Sequence, residues 1–335
     1  MTKDGINQLL TDISIYLQEP PELIETHISW VIMTGAYAYK IKKPVHYSFL
    51  DFSTIEQRKY YCEQEVILNK RLTDNIYINV QAVRIDNDHY CIGEGNGDAV
   101  DYAVKMVRIG GNLQMDVLLK NNQVTTEHIM KLAGKMANFH KYTVRIYDID
   151  PQDLQKQFND IGSEVSFLRG HLSHADFAII EDSMQASDHF LKKNYPLLLQ
   201  RVQSGLYRDC HGDLHTRNIF LLPDPQPFDC IEFNDSFRQI DILNEIAFLC
   251  MDLDAAGRQD LSDKFISCYN EKFPVIQNTE EQKLFIYYKS YRANVRAKVN
   301  SLRASTTDNE RTKNENLLQT VKYLRLMENY LRQTI

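Results

Sequence analysis

Residues 208 to 222 read RDCHGDLHTRNIFLL. His211, Asp213, His215 and Asn218 crowd together there and then give way to an apolar run. Polar groups packed this densely are poor core material, because each needs a hydrogen-bonding partner once water is excluded. The spacing points to chemistry rather than to packing.

The chain around this stretch has 335 residues and a mass of 39.1 kDa, more than one compact core usually holds, so two packed lobes are expected. With 43% hydrophobic and 25% charged residues it has the composition of an ordinary globular protein. A net charge of -7 and a pI near 5.8 argue against bulk binding of nucleic acid or of an anionic membrane. Asp4 and Asp12 fall where a signal peptide would need an unbroken apolar stretch, and no run approaches the ~18 apolar residues of a membrane span. Six cysteines without CxxC pairs fit reduced thiols in a cytoplasm better than a disulfide frame or a zinc site.

Upstream, an opening helical segment is ended by Pro20-Pro21, and HISWVIMTGAYAYKIKK reads as two short strands around a turn at Thr34-Gly35. STIEQRKYYCEQEVILNKRL reads as a helix capped by Ser53, with Glu56 three residues on. IYINVQAVRI, HYCIGEG and DYAVKMVRI supply three more strand-like pieces before Gly110-Gly111. From there the pattern is mostly helical, ending in two segments of helical period that start near Glu281 and Thr312. The change predicts a nucleotide-binding lobe over 1–108 and a catalytic, substrate-binding helical lobe over 109–335.

Within HGDLHTRN, Asp213 and Asn218 have the D-x-x-x-x-N spacing of a kinase catalytic loop. Phosphoryl transfer is mostly positioning and charge neutralisation, so one carboxylate must face the nucleophile while metal ligands face the phosphates. HGDxHxxN, with Gly where protein kinases have Arg, resembles the aminoglycoside phosphotransferase and choline kinase branch of the kinase-like fold. Together with IEFND and YAYKIKKP, it is similar to uncharacterised bacterial "aminoglycoside phosphotransferase family enzymes". The resemblance spans about residues 25 to 255 and implies an α+β bilobal protein-kinase-like fold. A five-stranded antiparallel sheet with one helix would precede a larger helical lobe. It also implies Mg2+ and ATP, with GTP the alternative, and a small-molecule hydroxyl as acceptor.

The resemblance makes Asp213 the base or orienting group, Asn218 a magnesium ligand, and His211 a buttress of the loop. Where the branch has an Asp the chain has Glu232, the first choice for the second metal ligand, with Asp229 the fallback and Asp235 a third option. Asp241 is expected to cap the next helix or brace the loop. A lysine should touch the α- and β-phosphates and a helix glutamate should hold it. Lys40 is chosen, with Lys42 on the same strand face, and Glu65 is its partner, with Glu63 the runner-up. Backbone groups around Met106 to Arg108 would meet the adenine. Residues 20 to 29, PPELIETHIS, contain no glycine, leaving Thr26, His27 or Ser29 as phosphate donors in place of a glycine-rich loop.

Gln282 to Thr307 holds six cations and no acidic residue, with Lys289, Arg292, Arg296 and Arg303 on one helical face. Two readings stay open: a solvated face, or an anion site in which Arg292, Arg296 and the loop's His215 meet an acidic acceptor. A cationic wall would repel aminoglycosides, so poor turnover of those compounds is expected. The rival readings are a nucleotide-binding protein without turnover, a kinase of proteins, and a nucleic-acid binder.

Overall fold

The computed structural model describes residues 1–11, 20–47, 49–86 and 89–334. In chain order, α1 (Lys3–Leu9) precedes β1 (Glu22–Glu25), β2 (Ser29–Met33), β3 (Tyr37–Lys42), β4 (His46–Tyr47) and β5 (Leu50–Asp51). Then come α2 (Ile55–Asn69), β6 (Tyr77–Asp86), β7 (His89–Ile92), β8 (Asp98–Val107) and α3 (Met115–Lys120). The helices α4 (Thr126–Tyr142), α5 (Asp153–Asn159), α6 (Val165–Arg169) and α7 (His174–Gln203) follow. After β9 (Tyr207–Asp209), β10 (Ile219–Phe220), β11 (Gln226–Pro227), α8 (Asp235–Arg238) and β12 (Gln239–Asp241), the chain ends in four helices. These are α9 (Ile242–Ala255), α10 (Gln259–Lys272), α11 (Thr279–Thr306) and α12 (Glu310–Arg332).

The chain forms two compact units, Met1–Leu118 with Arg217–Arg238, and Leu119–Thr216 with Gln239–Ile335. The sequence reading expected one break after residue 108. Residues 217–238 join the first unit because their backbone is paired there: Leu221 N donates to Leu113 O at 2.9 Å, and Phe220 forms an antiparallel bridge with Gln114. Such pairing across a hundred residues leaves no local pattern.

In the first unit, six antiparallel strands run in the order β1-β2-β3-β8-β6-β7. The expected count was five. The sixth is β1, whose ELIE sequence is mostly exposed and offers no apolar alternation to read. Strand period 2 then sorts β3. Tyr39 and Ile41 join Trp30, Ile32, Val83 and Ala103 in a cluster covered by Ile6 and Leu9 of α1. Lys40 and Lys42 alternate with them and so fall on the opposite face. The expected opening helix is seen as α1; its continuation toward Pro20, with Asp12, lies outside the described residues. The start of α2 is one residue later than expected. Thr54 and Gln57 form the capping box, because Thr54 has the extended backbone a cap needs, while the Ser53 hydroxyl donates to the Gln57 side chain.

The second unit is helical and is organised on α9, in which every residue from Ile242 to Leu253 is buried. Helices α10 and α11 pack on α9, and α12 on α11. Asp241 caps α9 by accepting from Leu243 N at 2.8 Å, as expected. It is also gripped by Arg201 of α7 through two bonds of 2.6 and 2.9 Å. No helix among the described residues is long and apolar enough to cross a membrane.

Candidate functional site

In the first unit the two β3 lysines meet three carboxylates. Lys40 Nζ is 2.9 Å from Glu65 Oε1 of α2 and 2.7 Å from Asp229 Oδ1. Lys42 Nζ is 2.7 Å from Glu65 Oε2 and pairs with Glu232 Oε1. Burial opposes a charge on Glu65, yet the two ammoniums hold its carboxyl down at about 2. Burial likewise pushes Glu232 upward, against the pull of Lys42. Burial also drives the neighbouring Cys62 thiol up to about 12, so it is an inert packing group.

The segment 229–232 is pinned by local bonds. Asp229 has φ 62°, the left-handed region that Asp tolerates better than most residues, and its N–H donates to Tyr77 Oη at 3.1 Å. Cys230 N donates to Asn69 Oδ1 at 2.9 Å, and Asn69 in turn donates to Glu65 O at 2.8 Å. The last residue of α2 thus fixes this segment, which is not the strand expected for Asp229 and Glu232, beside the α2 glutamate. Asn218 lies buried in a 3-10 turn, its carbonyl accepting from Phe228 N at 2.9 Å. An amide oxygen and two carboxylates are hard donors of the kind magnesium takes, so Asn218, Glu232 and Asp229 suit that ion chemically.

Of the expected residues, the structure brings Lys40 and Glu65 together and puts Glu232 and Asp229 on the same cluster. Glu63 is exposed on α2, and the exposed Asp235 pairs with Arg238 at 2.7 Å. Sequence reasoning gave Lys42 no part, although its position two residues after Lys40 was the signal for it. At the end of β8, Val107 N donates to Ile76 O at 2.8 Å and Arg108 N to Ala36 O at 2.9 Å. Met106 packs beside a cluster that includes Val66, Tyr77 and Phe220. The Val107 and Arg108 amides are therefore committed to the protein's own backbone. Thr26 is also spent locally: its hydroxyl accepts from Ser29 N at 2.9 Å and approaches Ser29 Oγ at 2.9 Å, tying the β1–β2 turn.

In the second unit residues 211–216 are tied to α9. Glu245 of α9 accepts His211 N at 2.7 Å and Gly212 N at 3.0 Å. Gly212 has φ 88°, which explains a glycine here. His211 is fully buried and its Nδ1 accepts from Asp213 N at 3.2 Å. Asp213 Oδ2 lies 3.3 Å from His215 Nε2. Burial would raise the Asp213 carboxyl, but His215, His211 and Arg296 together hold it well below the usual range. Thr216 donates its N–H to Asp252 Oδ2 at 3.0 Å, closing the loop onto α9. Glu245 was missed because, four residues into an apolar helix, a lone glutamate has no pattern of its own.

The basic helix is corrected by the structure. Lys289, Arg292 and Arg296 are 6, 5 and 9% exposed, so they form neither a solvated face nor an open anion wall. Lys289 pairs with Asp254, and Arg292 donates to Asn244 Oδ1 at 2.7 Å and to Gly212 O at 3.2 Å. Arg296 places its guanidinium 5.5 Å from the Tyr323 ring centroid, and the charge of Asp252 favours its cationic form. Buried cations are retained only with partners, and these partners come from α9, α12 and the loop at Gly212, far away in sequence.

Burial drives the Glu245 carboxyl up to about 7, against the pull of Arg292 and the two backbone donors. A carboxyl raised by folding favours the folded state at low pH. That contribution is complete below 4.5 and is lost as pH rises through about 7. Glu245→Gln is expected to remove this slope. Urea unfolding from pH 4.5 to 7 should show wild type losing about 3 kcal/mol relative to the variant. Parallel curves for the two proteins would exclude Glu245 as the group responsible.

No family model matches the chain. Uncharacterised proteins of Mycobacterium bovis and Mycobacterium tuberculosis are 31% identical to it over 290 residues, covering 84% of this chain and 55% of theirs. The chain thus spans about half the length of the curated relatives it matches. Among solved structures, choline kinase from Cryptosporidium parvum Iowa II superposes with a TM-score of 0.53 at 13% identity, covering 98% of this chain and 95% of that one. The chain has the fold of the small-molecule kinases. A choline/ethanolamine kinase family protein from Mesorhizobium loti gives 0.51 at 11% identity, covering 98% of this chain and all of that one. A GDP complex of a variant aminoglycoside 2'-phosphotransferase-IIIa gives 0.55 at 12% identity, covering 99 and 98%. The three neighbours carry the names of a choline kinase, a choline/ethanolamine kinase family protein and an aminoglycoside phosphotransferase, so the resemblance read from HGDxHxxN agrees with the fold.

Proposed function

We propose that the chain is a magnesium-dependent phosphotransferase that moves the γ-phosphoryl group of ATP to the hydroxyl of a small molecule. The observation that carries this reading is Lys40 held by the buried Glu65 at 2.9 Å, the lysine–glutamate arrangement that phosphate binding requires. Each unit is assigned its own share of the chemistry. In the first, Lys40 grips the α- and β-phosphates, and Asn218 and Glu232 hold the metal, with Asp229 as a further oxygen donor. Bound magnesium supplies charge neutralisation on the phosphates. In the second, Asp213, kept ionised by its surroundings, orients the acceptor hydroxyl and takes its proton. His211 and Glu245 fix the backbone that carries it.

The fold is shared with a GDP complex and with a choline kinase, which supports a nucleotide and a small alcohol and leaves ATP and GTP as alternatives. Arg292 and Arg296 are buried and partnered, so they offer no cationic wall that would favour an anionic acceptor or repel an aminoglycoside. Neutral, cationic and anionic alcohols therefore belong in one screen with both nucleotides. Magnesium-dependent nucleotide consumption with at least one of these alcohols is the expected result. Nucleotide-dependent thermal stabilisation without consumption would favour a binding protein, and phosphate incorporated into lysate proteins would favour a protein kinase.

A further inference from the structure

The two lysines of β3 divide their partners unequally. Lys40 has a 14% exposed side chain and is shared between Glu65 and an Asp229 that is 44% exposed. Lys42 is 2% exposed, and its partners Glu65 and Glu232 are 0 and 4% exposed. Phe52, fully buried, places its ring centroid 4.9 Å from the Lys42 ammonium and seals that side. Facing buried carboxylates are strongly disfavoured unless a cation lies between them. Lys42 is that cation, a compact charge on a flexible stem with donors that can turn to a new partner.

We propose that Lys42 is a resident cation seated between Glu65 and Glu232, occupying the place on Glu232 that a divalent ion would otherwise take. The inference rests on reading Glu232 as a metal ligand and adds what controls that ligand. Lys42 engages Glu232 Oε1, so a divalent ion gains this oxygen only when the lysine gives it up. Lys40, more exposed and tied to an exposed carboxylate, is the lysine free to turn to phosphate. Lys42 is thus a positioning residue, and the nucleotide-free protein should be indifferent to divalent ions.

The test is Mn2+ binding by electron paramagnetic resonance, with thermal melting in Mn2+ against EDTA, on the full chain without nucleotide. Lys42→Gln is expected to bind Mn2+ at least about tenfold more tightly than wild type and to be stabilised by it. The double variant Lys42→Gln with Glu232→Gln should lose that gain. If Lys42→Gln folds only when Mn2+ is present, the proposal is equally supported. It is overturned if Lys42→Gln binds Mn2+ no better than wild type, or if it stays unfolded in Mn2+ while the double variant folds. Wild type with a non-hydrolysable ATP analogue is the separate control: absence of Mn2+ there would count against the phosphotransferase reading itself.

Discussion

Arg201→Met lowers the stability of the second unit by about 3–5 kcal/mol, the expected cost of removing one partner from a buried ion pair. Arg201 is 1% exposed and donates twice to Asp241, once to Glu281 at 2.9 Å and once to Val275 O at 3.2 Å. Methionine fills similar volume but leaves two carboxylates without their cation, so the loss is electrostatic rather than a cavity. Because Asp241 caps α9, and α9 carries Glu245, the damage should reach the loop backbone at His211 and Gly212. Urea unfolding followed by circular dichroism reads the change. Arg311→Met is the control. Its i,i+4 pair with Glu315 is solvated on both sides, so it should matter by less than about 0.5 kcal/mol. Equal losses in the two variants would refute the buried network as the source.

Asp213→Asn is expected to lower kcat by about 10²–10⁴, the usual worth of a positioned general base, with nucleotide affinity nearly unchanged. The substitution keeps the shape and the backbone donor to His211 Nδ1, while it removes the charge facing His215. Since the wild-type carboxyl is held well below its ordinary range, its protonation should not limit the rate near neutral pH. Single-turnover measurement with labelled nucleotide checks both points. A variant retaining more than about a tenth of wild-type kcat would remove Asp213 from the role of base.

Much of this was legible residue by residue. The alternation of Tyr39, Lys40, Ile41 and Lys42 placed both lysines on one face of a strand, and the D-x-x-x-x-N spacing marked Asp213 and Asn218 before any contact was known. The reading of α2 as a helix with Glu65 among its apolar residues also stood, with only the cap displaced by one residue. The basic helix shows the opposite. Lys289, Arg292 and Arg296 have an exposed-looking sequence, yet each is buried against a partner that lies far away in the chain. Sequence spacing shows which cations share a face of a helix, but not what covers that face.

What the amino-acid sequence determined by itself was local: which residues share a strand or helix face, and which polar motif interrupts the apolar pattern. Backbone geometry imposes those periods whatever the rest of the chain does. Only the tertiary structure decided that residues 217–238 pair with the sheet-bearing unit, that Lys42 rather than Lys40 takes Glu232, and that Glu245 holds the loop. Charge pairing in a buried site depends on distance and on the exclusion of water. Both are set by residues that meet only when the chain has folded.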